Sequence, residues 1–99
     1  MLVHSVYFWL KEGLSEEDKK NFSAGVESLK GISCVEACFV GTPAATEARP
    51  IIDHSYDVAL TVVLQDVAAH DQYQVDPIHL KFVETFKCMF SRLVIYDAD

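Results

Sequence analysis

Ninety-nine residues are enough for one domain and too few for two. Half of them are apolar (51%), enough for a core, while 8 Lys and Arg against 15 Asp and Glu leave a formal charge of −7. That balance excludes a basic surface for nucleic acid or anionic membranes; no apolar run reaches the ~20 residues of a membrane span, and no basic-then-apolar signal segment opens the chain.

Leu2 to Leu10 is rich in aromatic and β-branched residues and stops at Lys11-Glu12-Gly13, the pattern of a first strand. Ser15-Glu16-Glu17-Asp18 resembles a capping box with an acidic first turn. It opens a helix whose apolar stripe is Phe22, Val26 and Leu29, and Gly31 supplies the stop. From Ser33 to Val40, Val35, Ala37 and Phe39 alternate with Cys34, Glu36 and Cys38, which predicts a second strand. Gly41 to His54 has two prolines and no periodicity, the mark of a long loop, and long loops in small domains tend to carry function. A third strand spans Tyr56 to Leu64. A short helix capped by Asp66 runs to about Gln74, and Asp76-Pro77 begins another through Ile78, Phe82, Val83 and Phe86. Phe90 to Tyr96 closes the chain as a fourth strand. The order β-α-β-β-α-β, with the second helical region broken at Asp76-Pro77, is that of an α+β ferredoxin-like fold.

Both helical regions of such a fold cover one face of the sheet. Leu2, His4, Val6, Phe8 and Leu10 share one side of the first strand, and Val3, Ser5, Tyr7 and Trp9 the other. In the third strand, Tyr56, Val58, Leu60, Val62 and Leu64 oppose Asp57, Ala59, Thr61 and Val63. The more aliphatic sets belong under the helices. The other face, with Tyr7, Trp9, Val63, Val94 and Tyr96, is too apolar to leave in water, so a second copy packed sheet against sheet is expected. Tyr7 and Trp9 mark that dimer interface. The loop from Gly41 to His54 is expected to edge either this contact or a pocket, with Arg49 as a fork for a ligand carboxylate or simply a solvated loop arginine.

Two of the four histidines, His54 and His70, read as solvated. His4 is different, because every other residue on its face is apolar. On the third helix, with Ile78 at zero, Phe82 falls at roughly 40°, Phe86 at 80°, His79 at 100° and Val83 at 140°. His79 therefore points from the middle of the apolar face. Its place in the first helical turn favours the neutral imidazole, with Asp76 pulling the other way. Two inward histidines predict a polar-lined pocket, with Phe82 on its apolar wall and the Tyr73 hydroxyl near its rim. No metal set and no cofactor motif is present. Cys34 and Cys38 lie about 13 Å apart in a strand at ~3.3 Å per residue, beyond the ~7 Å limit of a disulfide. With Cys88 they read as small buried hydrophobes of a cytoplasmic protein.

Three segments, Val3 to Lys11, Ser55 to Leu60 and Tyr73-Gln74-Val75-Asp76-Pro77-Ile78-His79, together resemble the stress-responsive dimeric α/β-barrel (Dabb) family. The resemblance covers nearly the whole chain. It implies a ferredoxin-like protomer whose sheet packs on a second copy to close a dimeric barrel. A plant member is a polyketide cyclase that performs an aldol-type ring closure with a His and a Tyr corresponding to His79 and Tyr73. Its strand-one histidine corresponds to His4. Val58 stands where the cyclase has another pocket histidine, and Asp76 replaces the histidine before the proline.

Three functional classes follow. The first is a small dimeric protein that binds an apolar or aromatic ligand in a pocket between helices and sheet. The second is an enzyme in which His79 and Tyr73 handle protons on a small carbonyl compound. The third, an RNA-binding ferredoxin-like domain, lacks the basic and aromatic stacking pattern on its third strand. The incomplete acid–base set favours the first.

Overall fold

A computed structural model describes all residues 1–99. Strand β1 (Leu2–Leu10) leads into helix α1 (Glu16–Ser28) and a single 3₁₀ turn at Leu29–Gly31. Then come β2 (Val35–Gly41), β3 (Val58–Leu64), α2 (Val67–Val75), α3 (Pro77–Phe86) and β4 (Phe90–Ala98). The four strands form one sheet in the order β2-β3-β1-β4, and every neighbouring pair is antiparallel. This is the ferredoxin-like α+β architecture that the element order predicts.

The helix starts follow from local chemistry. The Ser15 hydroxyl accepts from the Asp18 N–H at 3.0 Å, and the Asp18 carboxylate accepts from the Ser15 N–H at 3.3 Å, so the capping box closes both ways. The Asp66 carboxylate accepts from the Ala69 N–H at 2.8 Å and starts α2. Asp76 ends α2 in extended conformation and at once caps α3 by accepting from the Ile78 N–H at 2.9 Å. Pro77 has no N–H to lose at the first helical position. That junction turns the chain sharply, so that Tyr73 and His79 meet across two helices.

The helices cover one face of the sheet. Leu2, Val6, Phe8, Val58, Leu60, Val62 and Leu64 are buried beneath Phe22, Val26, Leu29, Tyr73 and Phe82. At one end, Phe8, Phe22, Phe82, Phe86 and Phe90 pack edge to face or tilted, with ring centroids 5.1–6.4 Å apart. At the other end sits His4, the one polar residue in the core. The strand-face assignment holds for β1, and for β3 from Val58 onward.

Tyr56 departs from it. Asp57 bends the chain just before β3, its carboxylate accepting from the Leu10 N–H at 2.7 Å and its own N–H donating to the Phe8 carbonyl at 2.8 Å. The Tyr56 ring consequently lies on the open face against Tyr7, 5.0 Å between centroids. Strand β2 departs too. Its register slips by one residue between Val35 and Ala37, so Val35, Cys38 and Val40 pack on the core and Phe39 is turned outward, 64% exposed. Cys34 and Cys38 are half-buried, but Cys88 lies exposed past the end of α3, so it is not a core hydrophobe.

Candidate functional site

A cavity of about 180 Å³ lies between α2, α3 and the β1–β4 half of the sheet. Its wall is largely apolar, built from Val6, Phe8, Leu60, Phe82, Leu93 and Ile95 among others. Its polar groups are His4, Tyr73, Gln74 and His79. It opens along β4, where Leu93 and Ile95 are 40% and 45% exposed because no helix lies over this edge strand.

The three polar rings come from three elements. His4 is on β1, Tyr73 on the last turn of α2, and His79 on the first turn of α3. Tyr73 lies between the two histidines, 5.6 Å from His4 and 4.9 Å from His79 between ring centroids. Nδ1 of His79 is buried and has no hydrogen-bond partner. Burial pushes the His79 imidazole below its ordinary value, more strongly than the Gln74 backbone and Asp76 pull it up. The neutral ring expected from its helical position is thus present, but desolvation is the chief cause. Burial also raises the Tyr73 phenol, so its hydroxyl keeps its proton and can donate. The arrangement is a neutral base and a proton donor facing one largely apolar cavity.

Of the residues singled out from sequence, His4, Tyr73, His79 and Phe82 are brought together here. Val58 is not; it is 4% exposed within the core, and Leu60, two residues along β3, takes the wall position. Arg49 is not either: it is an exposed loop residue whose carbonyl accepts from the Ile52 N–H at 2.9 Å, remote from the cavity lining.

Two further residues stand against His4, outside the cavity lining. His70, read as solvated, is only 20% exposed in its side chain and packs edge-on to His4 with centroids 5.2 Å apart. Asp97 lies directly across from His4 in the β1–β4 register, and His4 Nδ1 meets its Oδ1 at 2.5 Å. The signal is the alternation of Leu93, Ile95 and Asp97 on the helix side of β4, which continues to Ala98, two residues beyond the Tyr96 end expected from sequence. With His70 they form a cluster whose ligand-type atoms lie within 4.8 Å of one another, which the sequence reading did not anticipate when it found no metal set.

The opposite face carries a second, wider concavity of about 390 Å³. Tyr7, Trp9, Tyr56, Arg92, Val94 and Tyr96 form its floor, and Ala44, Ile52, Asp53 and His54 of the long loop form its rim. The loop therefore edges the sheet face and not the cavity under the helices. Trp9 donates from Nε1 to the Ser55 hydroxyl at 3.0 Å, and the Arg92 guanidinium lies 4.3 Å above the indole. His54 is half-buried and held by Thr46 at 3.1 Å.

A four-stranded antiparallel sheet with its helices on one side and a histidine–tyrosine cavity beneath them defines a ferredoxin-like domain of the α/β-barrel class. The chain belongs to the Dabb family, the stress-responsive A/B barrel domain, whose model matches residues 2–99. No curated protein matches it. Among solved structures it is similar to a Dabb family protein from Mesorhizobium loti, at 23% identity over 99% of this chain and 94% of that one, TM-score 0.78. It is also similar to a dimeric ferredoxin-like protein of Thermobifida fusca, at 15% identity over 98% and 88%, TM-score 0.79. A third is the hydroxynitrile lyase of Passiflora edulis, at 19% identity over 98% and 90%, TM-score 0.78. At these identities the likeness is one of fold.

Proposed function

We propose that this chain acts as a homodimer, closed through the sheet faces bearing Tyr7 and Trp9, and that each protomer binds a small aromatic or apolar carbonyl compound beside His79. The observation that carries the reading is the buried, unpartnered Nδ1 of His79 in a cavity otherwise lined mainly by hydrocarbon. A buried polar atom without a partner is unfavourable by about 1–3 kcal/mol, so its retention fits a bound group that pairs with it. The cavity, about 180 Å³, is small for a ligand site. A dry cavity of about 150 Å³ takes a benzene ring, so the ligand class is a single ring with one small polar substituent. The dimer is supported by the exposed apolar sheet face and by structural neighbours described as dimeric. The three free cysteines suit a reducing compartment such as the cytoplasm.

The likeness to a hydroxynitrile lyase, with a neutral imidazole 4.9 Å from a protonated phenol, favours a second reading in which the site is catalytic. There His79 removes an acidic proton next to a carbonyl, and Tyr73 donates to the developing oxyanion. Titration of the protein with benzaldehyde, followed by NMR, tests the shared premise. Saturable shifts confined to cavity residues are expected, weakened by His79→Ala. A failure to saturate at millimolar concentration, or unchanged binding in His79→Ala, overturns it. Loss of turnover in His79→Gln at nearly unchanged affinity separates the enzyme from the binding protein.

A further inference from the structure

We infer that His4, His70 and Asp97 form a site for one divalent transition-metal ion of the zinc class, which shares His4 with the cavity beside His79 and does not use His79 itself. The three residues come from β1, α2 and β4, and fold and register alone bring them together. Each offers a ligand atom of the right chemistry. His4 Nδ1 lies 2.5 Å from Asp97 Oδ1, and His70 Nε2 lies 3.8 Å from Asp97 Oδ2. All the ligand atoms fall within 4.8 Å of one another. A tetrahedral zinc with bonds of about 2.0–2.1 Å to nitrogen and oxygen holds its ligands roughly 3.3 Å apart. Side-chain rotations of about an ångström therefore convert the present contacts into a coordination set, with the fourth position left to water.

Three further observations point the same way. Nδ1 of His70 is held by Asp71 Oδ1 at 3.2 Å, which leaves Nε2 as the nitrogen turned toward Asp97. A carboxylate on the far nitrogen is the usual support of a metal-bound imidazole. No lysine or arginine pairs with Asp97; its carboxylate meets the two imidazoles alone. The side chains are also graded in exposure, from 3% for His4 through 20% for His70 to 42% for Asp97, so an ion can enter from solvent and end against a buried imidazole. Two imidazoles and one carboxylate suit zinc, cobalt, nickel or copper, and are too nitrogen-rich for calcium or magnesium. The simpler role for these groups is a hydrogen bond from His4 to Asp97 with His70 as a neighbour, and that arrangement leaves His70 Nε2 3.8 Å from Asp97 Oδ2, beyond hydrogen-bond distance.

Untagged protein stripped with chelator and titrated with Co²⁺ decides between them. One equivalent per chain should bind at micromolar concentration with the visible absorption of a low-coordinate site, and Zn²⁺ should displace it and raise the melting temperature. His70→Ala, at a partly exposed position that tolerates truncation, should weaken binding at least tenfold and abolish the thermal shift. Asp71→Asn should weaken it by about tenfold through the lost support. Cys88→Ser and His54→Ala, outside the cluster, should leave it unchanged. Absence of stoichiometric binding, or binding that His70→Ala leaves within twofold, overturns the proposal.

Discussion

Replacing His79 by Leu should stabilise the protein while destroying its site. The ring carries a buried Nδ1 with no partner, and removing such an atom recovers up to about 1–3 kcal/mol. The lower end applies, because the rest of the side chain is only half-buried. Leu is also a better helix former than His by a few tenths of a kcal/mol in the first turns of α3. Against this stands the lost ring contact with Tyr73 at 4.9 Å, of roughly 0.5 kcal/mol. The net gain is about 1 kcal/mol, or some 4–8 °C in melting temperature for a domain of this size. Scanning calorimetry on chelator-treated protein measures it, with urea unfolding as the check at 25 °C. The same variant should bind benzaldehyde more weakly than the parent. A melting temperature that falls by more than about 4 °C would refute the reasoning, since it would mean that His79 is packed for structure and that its nitrogen is satisfied in the folded state.

Three further outcomes follow from the same geometry. Tyr7→Glu should convert the proposed dimer into a single-chain species in sedimentation, because Tyr7 faces Ala59 and Val94 across the sheet and no cation stands opposite it; Trp9→Glu is the weaker probe, since Arg92 lies across from Trp9 and would neutralise it. Gly25→Ala, which in an open helix stabilises by about 1 kcal/mol, should here destabilise by about 1–2 kcal/mol in urea unfolding, because the new Cβ falls 2.2 Å from the Phe86 ring; the sign should revert in a Phe86→Ala background. The native His79 imidazole lies below its ordinary value of 6.5, so the unfolded chain binds the proton more readily. Stability is therefore unaffected by this group above pH 6.5 and declines as the pH falls from there toward the native value, a slope that His79→Leu should remove from acid titrations of stability.

What could be read from sequence was whatever local pattern decides. The capping box at Ser15, the Asp-Pro start of α3 and the alternation of β1 each involve residues within one turn or one strand, and each is present in the structure. His79 could be placed on an inward face because helical geometry relates it to Phe82 and Val83 by angle alone. Contacts set by pairing between distant strands were not legible in the same way. His70 shows no apolar periodicity of its own, and only the β1–β4 register brings Asp97 across from His4 and so gives His70 a neighbour. Likewise, a bulge at Glu36 reversed the facing of Phe39, and the Asp57 bend carried Tyr56 to the open side; a single shifted residue defeats any argument from a period of two.

The period of two also gives the sheet two faces of different character. Along β1 the even residues His4, Val6 and Phe8 face the cavity, while Ser5, Tyr7 and Trp9 face the open side. Along β4, Leu93, Ile95 and Asp97 take the cavity side and Val94 and Tyr96 the open side. Strand β4 is an edge paired only to β1, and it carries both the mouth of the cavity and the carboxylate that meets His4. An edge strand frays unless something restrains it. In the homodimer proposed above, a second copy covers the open side of this strand and leaves the cavity mouth on the other side free. In that proposed arrangement, substitutions that part the two copies are expected to reach the His4–Asp97 pair through β4.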